Sequence, residues 1–356
     1  MTKLEYSEKP GSTSGMSADG GLLLRLLRSA PPKELATESV KALEELASFH
    51  GLCGVLQERL AQSSVSSVFE NILAEQAVRS GLQLQAAAEI IRALNEQNIR
   101  AVFVKGVALA ATVYATGVRR FGDLDLLIAP ADFKSAHAVL LKLGFAVDEK
   151  TRGNPIELGY VRERLPGFKI FVDLHWGFAS DEGFQAPVRV PVESILSRRR
   201  TIGELPVPEA EDMLLLAAVN LGRKAAEPLV LIVDFARLSQ LPLNWQQISQ
   251  RAQEWRVRTP LWLGLILAQK ICGLSAPTDV IASLEPAPWK QRWLLSLLDE
   301  RALCTVDKQM TWRYRVLFKL LCADSFWGLW RLGTGLLKRL ARKASLRKTV
   351  PEVGAG

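Results

Sequence analysis

The chain has 356 residues, 48% of them hydrophobic and 23% charged, with a formal net charge of +8. That is enough apolar material for a sizeable core, in two or three domains or in one domain with helical additions, and it excludes a disordered protein. The longest apolar run, Leu261 to Cys272, contains Gln269 and Lys270 and is far short of the roughly 20 residues a bilayer span requires, so no transmembrane helix is expected.

The first residues lack the apolar centre of a signal peptide. Four cysteines, Cys53, Cys272, Cys304 and Cys322, stand without C-x-x-C spacing and imply neither a zinc site nor a disulfide framework, so a reducing cytosol is the expected setting. Residues 1–20 are rich in Gly, Ser and Thr and read as a mobile tail. Residues 21–99 read as a helical region: LLLRLLRSA before Pro31-Pro32, VKALEELASFHG with a stop at Gly51, then VFENILAEQAVRSG and LQAAAEIIRALNEQNI as successive helices. His50, at the end of its helix, reads as a structural residue rather than a ligand.

Residues 100–205 carry the pattern of a small mixed sheet with helices on one face. Val102 and Val104 belong to a short strand, Gly106 makes a turn, and Val107 to Thr116 form a helix. A strand FGDLDLLI follows; Pro130-Ala131-Asp132 opens a helix that runs to Leu143 and stops at Gly144. Phe145 to Glu149 and Gly159 to Arg164 read as strands, leading to FKIFVDLHW at Phe168 to Trp176. From Pro208 onward, residues 206–311 return to helices, with acids in the first turn of EAEDMLLLAAVNL and Pro228 ahead of LIVDFARL. The expected fold class is α+β, a small mixed sheet between helical N-terminal and C-terminal regions.

Successive strand residues alternate faces, so Asp123 and Asp125 point the same way while the leucines between and after them help to bury the strand. Two like charges that close call for a cation, and a hard divalent ion is the usual remedy. Asp173 on the later strand adds a third carboxylate. His175, two residues on, either orders Asp173 or touches a metal, or else packs beside Trp176; the packed role is the expectation. Gly106 lacks a Cβ, so a phosphate can approach the backbone at the start of the helix, whose free N–H groups favour an anion. Lys105 is open between a phosphate contact and a solvated lysine at a strand end. Arg119 offers a guanidinium fork that matches phosphate oxygens. Asp234, the one acid in an apolar helix, either pairs with an Arg or Lys or faces the cleft.

Glycine turn, helix, D-x-D strand and a third Asp on a later strand resemble the DNA polymerase β-like nucleotidyltransferase superfamily. Within it, KGVALA, Tyr114, Arg119 ahead of Gly122-Asp123-Leu-Asp125, then LLKLGF and VDLHW resemble a bacterial family of uncharacterised nucleotidyltransferases. The resemblance covers Ala101 to about Trp176, with a fainter echo around Asp234. It implies that Asp123, Asp125 and Asp173 are catalytic and bind Mg²⁺ or Mn²⁺. It also implies that Gly106 lies under the phosphates of an NTP, with ATP the expected one; Lys105, Arg119 and Asp234 are the candidates, on their own chemistry, for holding that nucleotide. Where the superfamily usually has Gly-Ser or Gly-Gly, this chain has Gly106-Val107; Asn220 and Lys224 stand where relatives often carry histidines.

Residues 312–356 hold the charge. Between Arg313 and Lys348 there are ten Lys or Arg against one acid, Asp324, which accounts for the whole surplus and leaves the rest near neutrality. That argues against nucleic acid along the cleft. The interleaved Trp, Phe and Leu residues give this segment the composition of a basic amphipathic helix, suited to an anionic membrane surface at the inner face or to an acidic partner, or to packing on the domain with a solvated basic face. Two function classes follow. The first is an enzyme moving a nucleoside monophosphate from an NTP to a hydroxyl or phosphate of a small molecule or peptide; the second is a catalytically weak binding or scaffold protein of the same fold that associates through its C-terminus.

Overall fold

The computed structural model describes residues 18–29, 37–61, 69–178, 188–274, 276–298 and 312–324. Residues 1–17 of the tail expected over 1–20 lie outside the described residues, and 18–20 are helical instead; Cys304 and the part of the basic segment beyond residue 324, on which the membrane or acidic-partner expectation rests, also lie outside them. Among the described residues no helix is long and apolar enough to cross a membrane, and Cys53, Cys272 and Cys322 are buried free thiols.

Helices α1 (Ala18–Arg28), α2 (Thr37–His50), α3 (Cys53–Leu60) and α4 (Glu70–Glu96) precede the sheet. α4 is one helix where the sequence suggested two. Gly81 falls in its middle, and with only the roughly 1 kcal/mol deficit of glycine against alanine and no proline nearby, the apolar face formed by Ala86, Ala87, Ile90 and Leu94 carries the helix through. Asn98, at φ 57, ends the turn that feeds the chain into β1 (Ala101–Val104).

The sheet has the order β1-β2-β5-β4-β3, with β2 (Leu124–Ile128), β3 (Ala146–Val147), β4 (Glu157–Leu165) and β5 (Phe168–His175). β1 and β2 are antiparallel, β2 and β5 parallel, β5 and β4 a hairpin, and β4 and β3 antiparallel. β1 and β2 are buried at every position, as continuous apolar runs require when both faces are covered. α5 (Lys105–Val113) follows β1 directly, and α6 (Phe133–Lys142) follows β2 through a short turn of 3₁₀ helix at Pro130–Asp132. Gly144 adopts φ +82, the left-handed stop expected after that helix. Beyond α7 (Val192–Ser197), a second hairpin, β6 (Arg200–Ile202) and β7 (Leu205–Val207), turns at Gly203 and packs β7 beside β1.

The C-terminal helices are α8 (Ala210–Lys224), α9 (Val230–Leu238), α10 (Trp245–Trp255), α11 (Arg258–Cys272), α12 (Thr278–Leu284), α13 (Pro288–Leu297) and α14 (Trp312–Cys322). α9 and α11 pack so closely that a Cβ at Gly264 would lie 2.6 Å from the Phe235 ring. The acids in the first turn of α8 do more than favour its dipole. Asp212, fully buried, receives both Arg198 at 2.9–3.0 Å and Arg251 at 2.9 Å, and Glu211 accepts the Asn244 backbone N–H at 3.1 Å, so α8, α10 and the chain before β6 are tied at one point. The buried apolar residues form one continuous cluster from Leu22 to Cys322.

His50 shows how the N-terminal helices are joined to the rest. It is 1% exposed, its Nδ1 accepts the Leu229 backbone N–H at 3.3 Å, and burial lowers its pKa from 6.5 to about 4. The unfolded chain takes up a proton there below pH 6.5 that the folded chain refuses until about pH 4. Stability present above pH 6.5 is therefore lost as pH falls through that window, by up to about 3 kcal/mol. Urea unfolding of the wild type and of His50→Gln between pH 7 and pH 4 checks this: the wild type is expected to lose the larger part of its pH dependence on substitution, and parallel curves would contradict the assignment.

Candidate active site

The pairing register builds the site. Asp125 on β2 lies opposite Asp173 on β5, and Leu127 opposite His175; from the other sides, Val104 pairs with Asp125, Gly159 with Asp173, and Glu157 with His175. Residues paired across neighbouring strands project to the same face. One face at the ends of β1, β2, β5 and β4 thus gathers Asp125, Asp173, His175 and Glu157. One ligand atom each from Asp125, Asp173 and His175 all lie within 4.8 Å of one another. Asp123 stands outside that group. It precedes the first residue of β2, so the strand's alternation does not impose a direction on it, and the trio that the structure assembles has His175 in its place.

Asp125 is 3% exposed and has two neighbours at one oxygen: Lys105 Nζ forms an ion pair with its Oδ1, and His175 Nε2 lies 2.8 Å from the same atom. Burial pushes its carboxyl up, but Lys105 and His175 outweigh it and bring the pKa to about 2. Asp173 goes the other way, raised by burial and by the Asp125 charge beside it. Asp123 is raised to about 6 by burial and by the charges of Asp125 and Asp173. The site is a stack of carboxylates with one lysine among them.

Lys105 reaches this position through an unusual backbone. Its φ is 56, in the left-handed region that non-glycine residues enter at a cost of roughly 1–2 kcal/mol, and its ammonium lies between Asp125 and His175 Nε2, 3.3 Å from the latter. The turn expected at Gly106 is therefore made by Lys105. Gly106 answers a packing need, because a Cβ there would meet Phe121 Cβ at 2.8 Å; Val107 behind it is fully buried. A second glycine also serves the site: a Cβ on Gly159 would lie 2.8 Å from Thr151 Cγ2 and 3.4 Å from Asp173 Oδ1.

Arg119 and Asp234, both expected at the nucleotide, are closed on each other. Arg119 donates from Nε and Nη2 to the two carboxylate oxygens at 2.8 Å each, and from Nη1 to the Arg120 carbonyl; the Tyr114 hydroxyl donates to Asp234 Oδ1 at 2.7 Å. The side chains of the pair are 11% and 2% exposed. Burial and the Asp234 charge push the Tyr114 phenol well up, so it remains a donor. The pairing alternative for Asp234 is the one realised, and it locks α9 to the segment after α5. Arg237 lies over the Tyr114 ring, 4.2 Å from its centroid, and pairs with Glu58.

Two open clefts flank Lys105. One, with about 400 Å³ of open space, is apolar and runs between Val104, Ala108 and Leu109 and the α8 residues Met213 and Leu216, with Asp234 at its edge. The other, about 350 Å³, lies between Ile156, Glu157, His175 and Phe178 on one side and Asn220 and Arg223 on the other. Asn220 borders both. Lys224, on the same helix, has its pKa lowered by burial and by the neighbouring charges of Arg223 and Lys105. Sequence reasoning missed Glu157 and Arg223. A mirror count around the Pro166-Gly167 turn would have set Glu157 against His175 and Gly159 against Asp173; Arg223 is a polar residue three positions after Asn220, one helical turn along an otherwise apolar stripe.

A strand carrying one aspartate is thus paired in parallel with a strand carrying the second, beside a strand-to-helix turn that presents a lysine. Residues 37–273 match the family described as uncharacterised nucleotidyltransferase, and the chain belongs to that family. Its fold is α+β with a five-stranded mixed sheet. Among solved structures it is similar to a crystal structure of ANT(2″)-Ia in complex with adenylyl-2″-tobramycin, at 17% identity over 50% of this chain and 98% of that one, with a TM-score of 0.35. It is also similar to an antigenic nucleotidyltransferase-like protein from Paracoccidioides brasiliensis, at 18% identity over 57% and 91%, with a TM-score of 0.37. The assignment rests on the family match over residues 37–273. No curated protein matches the chain.

Removing one partner of a buried ion pair strands the other charge, which typically costs about 3–5 kcal/mol. Asp234→Ala is expected to lose that much stability in urea unfolding, because Arg119 is left buried; a loss below about 1 kcal/mol would show that the pair does not lock α9.

Proposed function

We propose that the chain is a divalent-metal-dependent nucleotidyltransferase that moves a nucleoside monophosphate from an NTP, ATP being the expected donor, to a hydroxyl or phosphate of a small molecule or peptide. The observation that carries this reading is the register match of Asp125 with Asp173 beside His175, three donors within 4.8 Å of one another next to Lys105, which borders two clefts, one of them lined by His175 as well. Two carboxylates and an imidazole fit a dication: the local charge is negative, the oxygens converge, and a cationic group, the Lys105 ammonium, already lies against two of the three donors. Asp125, Asp173 and His175 would hold the ion. A divalent ion bound there neutralises the triphosphate and makes an attacking hydroxyl easier to deprotonate.

The chain's own residues supply the rest. Lys105, Arg223 and Lys224 place positive charge beside the carboxylates, where the phosphates of an NTP need it. Arg119 is committed to Asp234 and serves the reaction by holding α9 and α8 in place at the cleft wall rather than by a phosphate contact of its own. The apolar cleft along Leu109, Met213 and Leu216 suits the flat face of a base, and the second cleft, with Asn220, Glu157 and Phe178, suits a polar acceptor. Asp123, whose carboxyl is raised by burial and by the charges of Asp125 and Asp173, is the third aspartate beside the site and would add a further oxygen toward the ion.

Asp173→Asn separates chemistry from stability. It removes a carboxyl whose charged form is disfavoured by burial and by Asp125, so thermal unfolding of the metal-free variant is expected at or above the wild-type temperature. Pyrophosphate release from NTP, assayed over a panel of hydroxyl and phosphate acceptors, is expected to fall about a thousandfold, the equivalent of several kcal/mol of transition-state stabilisation. Turnover retained by this variant would refute the reading.

A further inference from the structure

Resting on the metal-dependent reading above, we infer that His175 is a metal ligand held in place by Glu157, and that the site consequently prefers a first-row transition dication, such as Mn²⁺, over Mg²⁺. His175 is 2% exposed and touches a charged or polar group at each ring nitrogen: Nδ1 lies 3.3 Å from Glu157 Oε2, while Nε2 lies 2.8 Å from Asp125 Oδ1 and 3.3 Å from Lys105 Nζ. A carboxylate only accepts and an ammonium only donates. In the metal-free chain Nε2 faces an acceptor, Asp125, and a donor, Lys105, at once; with an ion in place of the Lys105 ammonium, the ring would carry its hydrogen on Nδ1, donated to Glu157, and turn the Nε2 lone pair to the ion. Two lone pairs, those of Nε2 and of Asp125 Oδ1, then face one cation position, and Asp173 borders the same point.

That is the arrangement in which a histidine serves a metal: one nitrogen on the ion, the other pinned by a carboxylate that sets the tautomer and raises the ring's basicity. Glu157 is itself pinned. Its other oxygen accepts Asn154 Nδ2–H at 2.7 Å, and the side-chain Oδ1 of Asn154 accepts the Ile156 backbone N–H at 3.2 Å, so the loop before β4 fixes the carboxylate that fixes the ring. Phe178 stacks on the imidazole, 5.9 Å between centroids and 7° from parallel, and limits its rotation. Lys105 occupies the cation position from within the chain and leaves it when the ion and the nucleotide arrive. An imidazole nitrogen among oxygens favours transition ions, whereas Mg²⁺ is best served by oxygen alone. Glu157 is a positioning residue, since it acts on the ion through His175.

The test uses the purified full-length chain without nucleotide, with loss of the free Mn²⁺ electron paramagnetic resonance signal as the readout and Mg²⁺ as competitor. The wild type is expected to take up Mn²⁺ and to release it only at a Mg²⁺ excess at least about tenfold greater than His175→Asp needs, because that variant restores an all-oxygen ligand set. His175→Asn and Glu157→Gln are each expected to weaken Mn²⁺ binding by about 10–100-fold, the usual cost of losing an outer carboxylate or more. Glu157 is half-buried, so its variant keeps the experiment decisive where a substitution at the buried His175 fails to fold. Wild-type Mn²⁺ affinity in Glu157→Gln and in folded His175→Asn, or equal Mg²⁺ competition in the wild type and His175→Asp, would overturn the inference while leaving metal-dependent pyrophosphate release intact. A wild type that neither takes up Mn²⁺ nor releases pyrophosphate would overturn both readings together.

Discussion

Two parallel strands set Asp125 and Asp173 side by side, and like charges at that spacing repel in a setting where burial has removed much of the water that would screen them. Lys105 answers the repulsion by pairing with Asp125, and His175 lies 2.8 Å from the same oxygen. The cost appears in three places: a lysine backbone in the left-handed region, a raised Asp173, and a raised Asp123. Sites that hold strain and shifted carboxylates in one cleft are where proteins do chemistry, since a fold with no use for the charge would be more stable with apolar residues there.

The helical regions matter because they decide what the charged face looks onto. α8 runs past the site with Met213 and Leu216 toward one cleft and Asn220 and Arg223 toward the other. Its position is set far from the chemistry. Asp212 is clasped by Arg198 and Arg251 at its first turn, and α9, packed along it, is locked by Arg119 and Tyr114 closing on Asp234. Buried ion pairs of this kind add little net stability against an apolar alternative, but they admit one geometry, which a cleft wall needs. Arg119 lies four residues before Asp123, so the lock and the carboxylates share one segment of chain.

Glycines contribute at two points by what they leave out. At Gly106 the missing Cβ lets Phe121 approach and seats the first turn of α5 against the segment that carries Asp123; at Gly159 it leaves room for Thr151 beside the Asp173 carboxylate. Thr151 Oγ1 accepts the Gly159 N–H at 2.8 Å and its hydroxyl donates to the Asp148 carbonyl at 2.7 Å, so the loop is fastened to the strand next to the site.

The strands, the helix after β1, the stop at Gly144 and the pairing of D-x-D strand with a later Asp were legible in the sequence, because alternation, β-branched runs and glycine punctuation are local signals with local causes. Asp125 and Asp173 followed from them. What the sequence could not decide was set by contacts between residues far apart in the chain. The two helices expected either side of Gly81 are one, because a helix's tolerance for glycine depends on what its neighbours bury. Asp123 precedes the strand whose alternation fixes Asp125, so its direction is not set by that local pattern; His175 is packed and hydrogen-bonded as its neighbours suggest, while its contact with Glu157 arises only through the β4–β5 register. The sequence by itself determined that acids sit on a strand after a glycine turn; only the tertiary structure decided which three donors converge, that Lys105 stands among them, and that Arg119 belongs to Asp234, since each of these depends on a distance between strands or helices that no spacing along the chain encodes.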